Sequence, residues 1–176
     1  IGATDVQALA DYAAAQQFDL VCVTPDDPLA LGLVDLLRAK GIAAFGPTQA
    51  AAQIEASKAF SKQLMEKYQI PTASFAVLDD AQQAMDYVRS HPAPIVVKAD
   101  GLALGKGVYI CQTQQEAERA VREIMIDHHF GQAGARVVIE EFMTGPEVSL
   151  LCFCDGEHIV AMPAAQDHKR AYDGDK

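Results

Sequence analysis

The stretch Val96-Val97-Lys98-Ala99-Asp100-Gly101-Leu102-Ala103-Leu104-Gly105-Lys106-Gly107-Val108 decides the architecture. Its centre reads G-x-x-x-G-K-G. A P-loop needs four residues between its glycines and a Ser or Thr after the lysine, and this loop has neither. The dinucleotide fingerprint is absent as well. Both of those motifs lead from a strand into a helix, so that the helix N-terminus meets the phosphate. Here Ile95-Val96-Val97 leads into the loop and Val108-Tyr109-Ile110 leads out, strand into strand. The expectation is a glycine-rich hairpin whose exposed backbone N–H groups can fold over a polyphosphate. Lys98 and Lys106 bracket it with positive charge. On this stretch alone, a hairpin with two solvated lysines is the alternative.

Upstream, helix and strand patterns alternate. Thr4 can cap a helix with Val6, Leu9, Ala10 and Ala13 at the 3.6-residue period. Asp19 to Thr24 reads as a buried strand. Pro28 opens a helix with Leu29, Leu33, Leu36 and Leu37 on one side, and Gly41 stands where a C-terminal cap belongs. Ile42 to Gly46 is a second strand. This αβαβ run predicts a parallel sheet covered by helices. Thr48 and Ser57 start two further helices, ending near Gln69, and Ile70-Pro71 breaks the pattern.

Beyond Pro71 the style changes to α+β. Ser74 to Leu78 is a strand, Asp79/Asp80 to Ser90 a helix, and Pro94 to Lys98 a strand leading into the loop. Gln114 to Met125 is a helix and Asp127 to Ala135 a loop. Arg136 to Phe142 and Val148 to Cys154 are strands, and Asp155-Gly156 turns the chain into His158 to Met162.

Composition narrows the function classes. The 176 residues carry 14 Lys+Arg against 24 Asp+Glu, a net charge of −10. That balance argues against a nucleic-acid partner, because phosphate neutralisation needs a basic excess. No apolar run approaches the ~20 residues of a membrane span. Cys22, Cys111, Cys152 and Cys154 lie in apolar, strand-like stretches without a C-x-x-C pair, and are expected to be buried, reduced thiols of a cytoplasmic protein. The chain begins Ile1-Gly2-Ala3 without Met and ends in a polar run to Lys176, so it is read as an internal fragment.

Further groups carry chemistry. Glu140 and Glu141 follow the apolar run Val137-Val138-Ile139, where carboxylates are costly without partners. Alternation puts the two on opposite faces. An adenine can be read by the backbone of such a strand, and Glu147 can accept from ribose hydroxyls; a sheet edge with surface carboxylates is the alternative. Gln166-Asp167-His168-Lys169-Arg170 can hold a phosphate, or be a solvated charged loop. His128 and His129 lack further ligands in their loop, and His91 and His158 are expected at the surface. Asp26-Asp27-Pro28 sits at the carboxyl end of a strand, where parallel sheets place ligand groups, although Asp27 can equally be a helix N-cap.

Together these residues resemble a known family. The segment from Val96 to Val108 closely resembles the ATP-binding hairpin of the phosphoribosylamine–glycine ligases, ATP-grasp enzymes of purine biosynthesis. Phe45-Gly46-Pro47-Thr48, Ser57-Lys58-Ala59-Phe60, Val138-Ile139-Glu140-Glu141-Phe142 and Gln166-Asp167-His168-Lys169-Arg170 match in the same order, so the resemblance covers essentially the whole chain.

The resemblance implies a fold of two parts. Residues 1–52 would be the later half of an N-terminal α/β pre-ATP-grasp domain. Residues 53–176 would be the first part of an ATP-grasp domain, with a lid at about 71–138. It implies ATP as the nucleotide. Lys58 would open the ATP-grasp part, and Lys98 would contact the α-phosphate. Gly101, Gly105, Lys106 and Gly107 would form the flap. Glu140, Glu141 and Phe142 would face adenine, and Glu147 would hold the ribose. Asp167, His168, Lys169 and Arg170 would lie at the reacting centre. The substrates would be glycine and 5-phosphoribosylamine, joined in the cytoplasm to give glycinamide ribonucleotide, ADP and phosphate through glycyl phosphate. No residue here is expected to bind metal; the Mg²⁺ or Mn²⁺ ligands are expected downstream. Another ATP-grasp carboxylate–amine ligase, or an inert nucleotide-binding fragment, is the alternative. Thr24-Pro25-Asp26-Asp27-Pro28 departs from the Gly-Pro-Glu common among relatives, and Leu104 from the commoner Ala.

Overall fold

A computed structural model describes residues 1–103 and 106–166. The chain divides into two compact units, residues 1–142 and 143–176. In the first unit, α1 (Val6–Ala15) is capped by the Asp5 carboxylate, which accepts from the Ala8 N–H at 3.1 Å. The cap therefore lies one residue beyond the expected Thr4. Strands β1 (Leu20–Cys22) and β2 (Ala43–Phe45) pair in parallel, with Leu20 opposite Ala43 and Cys22 opposite Phe45.

Two helices lie between these strands where the periodicity predicts one. They are α2 (Asp26–Ala30) and α3 (Leu33–Ala39). The break is Gly32, whose φ of +85° is a left-handed conformation that glycine adopts without strain. Pro25 is the N-cap of α2 and gives no side-chain bond, so Asp27 is not the cap; Asp26 and Asp27 lie in the first turn. Gly41 follows α3 with φ of +76°, the expected left-handed terminator. Ala10, Ala13, Val23, Leu33, Val34, Leu37 and Ile42 form the core between these helices and strands. Burying each of the larger side chains is worth about 1.5–3 kcal/mol.

Thr48 and Ser57 cap α4 (Gln49–Ala56) and α5 (Lys58–Lys67), as their positions predict. A four-stranded antiparallel sheet follows, in the order β3-β6-β4-β5: β3 (Phe75–Leu78), β4 (Ile95–Ala99), β5 (Val108–Cys111) and β6 (Val137–Glu141). The glycine-rich loop joins β4 to β5, so the strand-to-strand reading holds. Helices α6 (Ala81–Ser90) and α7 (Gln114–Val121) cover one face of the sheet. Ala84, Val88, Ala117, Ala120 and Val121 pack there on Ile95, Val97, Ala99, Cys111, Val137 and Ile139. The predicted helix to Met125 runs beyond α7 as a wider π turn, Arg122–Ile126.

Strand alternation then assigns the opposite face. Lys98 stands one residue from Val97 and Ala99, and Glu140 one from Ile139, so both project away from the helical layer. Val96 pairs with Glu140 and Lys98 with Val138, which makes Lys98 and Glu140 diagonal neighbours on that face. Glu140 is buried and Glu141 exposed, although β6 is otherwise buried on both faces from Val137 to Ile139.

Of the four cysteines, Cys111 alone is buried; Cys22, Cys152 and Cys154 are exposed, against expectation. Their strands are three residues long and lie in two-stranded sheets, which leaves faces uncovered. In the second unit, β7 (Cys152–Cys154) and β8 (Ile159–Ala161) form an antiparallel hairpin, shorter than the predicted strands. The Asp155 carboxylate accepts from the N–H groups of Glu157 and His158 and so closes its turn. Among the described residues no helix is long and apolar enough to cross a membrane.

Candidate functional site

Two lysines converge on one buried carboxylate. Glu140 is 7% exposed, and its Oε2 lies 3.0 Å from Lys98 Nζ and 3.2 Å from Lys62 Nζ. Lys98 comes from β4 and Lys62 from α5. A buried carboxylate is costly without a counter-charge, so β6 tolerates Glu140 inside its apolar run because two ammonium groups meet it. The group carries one net positive charge. Lys62 also donates to Thr72 Oγ1 at 2.7 Å and the Ala73 carbonyl at 3.4 Å.

A second polar centre anchors the start of α5 to the root of the glycine-rich loop. Asp100, 7% exposed, follows β4. Its Oδ1 accepts from the Ala59 N–H at 2.7 Å and from Ser57 Oγ at 3.0 Å. Its Oδ2 accepts from Arg136 through both Nε and Nη2. Burial pushes the Asp100 carboxyl up, but the Ala59 N–H, the Arg136 guanidinium and the Ser57 hydroxyl outweigh it and hold the group below the usual carboxylate range. The Lys58 N–H donates to the Asp100 carbonyl at 3.1 Å, and Lys58 Nζ to the Gly101 carbonyl at 3.1 Å. Burial pulls the Lys58 ammonium below the ordinary lysine value, against the opposing pull of Asp100 and Glu55.

The root of the loop is closely packed. The Ala99 N–H donates to the Gly107 carbonyl at 2.8 Å, and Gly107 is buried. A Cβ on Gly107 would lie 2.9 Å from the Ala103 Cβ and 3.0 Å from the Ala99 Cβ. Glycine is needed here because other side chains pass too close, rather than for a special φ. A cavity of about 460 Å³ opens beside this root. Lys58, Gly107 and Val108 line it together with Asp26, Asp27 and Glu55. In this lining Lys58 faces the carboxylates of Asp26, Asp27 and Glu55, while the excess positive charge of the Lys62–Glu140–Lys98 group lies on residues outside it. That group, with one ammonium more than its carboxylate, suits an anion.

The structure thus gathers Lys58, Lys98, Gly101, Gly107 and Glu140 in the first unit. Lys106 is exposed, and its N–H donates to the Ala103 carbonyl at 2.9 Å. Glu141 is exposed and Phe142 half-buried at the end of β6, and the Glu141 N–H is held by the Ser74 carbonyl. Glu147 belongs to the second unit. Gly105, Asp167, His168, Lys169 and Arg170 lie outside the described residues. Lys62, Arg136 and the anchoring of α5 by Asp100 stand outside the residues that the sequence singles out. A signal for Lys62 existed: it stands four residues after Lys58 on one helix face, where like charges repel unless an anion lies between them.

Comparison with known proteins matches both halves of the chain to one family. Residues 1–55 match the phosphoribosylglycinamide synthetase N domain, and residues 56–176 the ATP-grasp (A) domain of the same synthetase. A phosphoribosylamine–glycine ligase of Streptococcus pneumoniae is 52% identical over 168 residues, 96% of this chain and 40% of the relative. The one from Yersinia pestis is 49% identical over 175 residues, 99% of this chain and 41% of the relative. The crystal structure of the Thermotoga maritima phosphoribosylamine–glycine ligase superposes with a TM-score of 0.69 at 36% identity, covering 76% of this chain and 34% of that one. The chain thus spans about two fifths of the length of these curated relatives.

Proposed function

From the premise that the chain belongs to the phosphoribosylglycinamide synthetase family, we propose that it supplies the nucleotide-holding part of an ATP-dependent ligase acting on glycine and 5-phosphoribosylamine. In that reaction a glycine carboxylate oxygen attacks the γ-phosphorus of ATP and ADP leaves. The amine of phosphoribosylamine then attacks the carbonyl carbon of glycyl phosphate; the single bond from that carbon to the phosphate oxygen breaks, phosphate leaves with its electron pair, and the amine proton passes to solvent. Glycinamide ribonucleotide, ADP and phosphate are the products, one each. A cytoplasmic location belongs to the same reading.

The observation that carries this proposal is a strand-to-strand glycine loop whose root lies beside Lys58 in the cavity lining and whose first strand bears Lys98, part of a group with one ammonium more than its carboxylate. Phosphoryl transfer asks little covalent chemistry of a protein and much positioning and charge neutralisation. Lys58 and Lys98 neutralise the triphosphate, and the loop from Gly101 to Gly107 covers it with backbone donors. The end of β6, Glu140 to Phe142, borders the base, and Glu147 takes the ribose. Asp167, His168, Lys169 and Arg170 are assigned to the reacting centre. Residues 1–52 are taken as the later half of the N-terminal domain and 53–176 as the start of the ATP-grasp domain, with its lid at about 71–138. The meeting of the two family models between residues 55 and 56 supports that division.

Among the described residues no group of three or more His, Cys, Asp or Glu side chains is placed to hold a metal ion. No step is assigned to a metal here. The Mg²⁺ or Mn²⁺ ligands are assigned to the part of the relatives that this chain does not span. The test is turnover by the full-length protein with ATP, glycine and phosphoribosylamine. ADP and glycinamide ribonucleotide should form one to one, and ADP release should require both other substrates. ADP release indifferent to glycine would overturn the assignment.

A further inference from the structure

Resting on that nucleotide reading, we infer that Lys62 is a positioning residue for Lys98. It stays on Glu140 as a permanent counter-ion, which leaves Lys98 free to exchange that carboxylate for a phosphate.

The two lysines share Glu140 Oε2 but are held differently. The Lys62 side chain is 9% exposed and the Lys98 side chain 25%. Besides Glu140, Lys62 is fixed by Thr72 Oγ1, the Ala73 carbonyl and the Phe75 ring, whose centroid lies 5.6 Å from Nζ. These partners lie just before β3 and at its first residue, and do not depend on a ligand. Lys98 sits on β4, where its strand neighbour across the ladder is Val108, a residue lining the cavity. One lysine is thus built into the packing, and the other is the more exposed of the two and has fewer fixed partners.

The physical need follows from the burial of Glu140. With Lys98 as its sole partner, Glu140 would lose its compensation whenever Lys98 turned to an anion. An uncompensated buried carboxylate beside a polyphosphate is doubly unfavourable, through desolvation and through like-charge repulsion. Lys98 would then remain tied to Glu140. With Lys62 in place the carboxylate stays neutralised, and the second ammonium is available. Glu140 in turn holds Lys98 near the cavity before the ligand arrives, so less side-chain freedom is lost on binding.

The test is calorimetric titration of the full-length protein with a non-hydrolysable ATP analogue. Lys62→Met should weaken binding by about tenfold or more, equivalent to about 1.4 kcal/mol. Lys62→Arg should stay within about threefold of the natural protein. In a Glu140→Gln background there is no carboxylate left to compensate, so adding Lys62→Met should change affinity by less than about threefold. A merely structural Lys62 would cost affinity in both backgrounds. Unchanged affinity in Lys62→Met, or an undiminished loss in the Glu140→Gln background, would overturn the inference. If Lys62→Met does not fold, the Glu140→Gln pair decides alone, because neither of its members buries an unpaired carboxylate. Failure of the natural protein to bind the analogue would instead overturn the nucleotide reading itself.

Discussion

Asp100→Ala should be among the most damaging single substitutions in the first unit. The carboxylate receives four hydrogen bonds, from Ser57, Ala59 and twice from Arg136, and is almost wholly buried. Bonds to a charged group are worth about 1.5–3 kcal/mol each, but those meeting at one carboxylate do not add. The Arg136 side chain is 41% exposed, so water compensates it in part when its partner is removed. Ser57 still accepts from the Phe60 N–H and keeps the start of α5 capped. The expected loss is therefore about 3 kcal/mol, at the lower edge of the range for breaking a buried ion pair. Asp100→Asn keeps one acceptor and should lose about half of that. Guanidinium unfolding of the full-length protein, followed by circular dichroism, measures both. The acid limb gives a second reading. The folded carboxyl lies below its unfolded value of about 3.9, so its stabilisation is complete above that pH and disappears as pH falls through the folded value. Asp100→Asn should accordingly lose less stability than the natural protein as pH falls below about 4. A loss below about 0.5 kcal/mol for Asp100→Ala would show that α5 and the loop root are held by other means.

Three other outcomes follow from the same geometry. Gly107→Ala places a methyl against Ala99 and Ala103 and should cost about 1–3 kcal/mol in thermal or denaturant unfolding. Leu37→Ala opens a cavity in the core between α1, α3 and the parallel strands, where Leu37 is fully buried, and should cost about 2–5 kcal/mol by the same measurement. Because burial holds the Lys58 ammonium below the ordinary lysine value, nucleotide affinity should fall on the alkaline side before ordinary lysines titrate. Affinity measured against pH should lose that early limb in Lys58→Arg, whose guanidinium stays charged.

The readable parts of this fold are those written in local chemistry. Thr48, Ser57 and Asp80 announce their helices because a short polar side chain can accept from an N–H three residues on. The glycine-rich hairpin is legible because apolar β-formers flank it on both sides. Gly32 was overlooked because Leu29, Leu33, Leu36 and Leu37 keep helical spacing across it, and periodicity does not register a single left-handed residue. The cysteines misled because strand-like composition says nothing of whether a strand has neighbours on both sides. Lys62, Asp100 and Arg136 are the informative omissions. Their roles depend on partners far away in the chain: Lys62 meets Glu140, and Asp100 ties Ser57 to Arg136. A buried lysine looks like a solvated one until the fold closes over it. The candidate residues that the sequence singles out, Lys58, Lys98 and the glycines, lie in contiguous motifs, whereas Lys62 and Arg136, which the fold brings to Glu140 and Asp100, do not.

We propose that Lys58 and Lys98 together hold the triphosphate of a nucleotide at the loop between β4 and β5. Titration of the full-length Lys58→Met/Lys98→Met variant with a non-hydrolysable ATP analogue tests it most directly. Each lost charge-assisted phosphate contact is worth about 1.5–3 kcal/mol, so affinity should fall at least about a hundredfold while the circular dichroism spectrum is unchanged. A folded double variant that binds the analogue as tightly as the natural protein would contradict the claim.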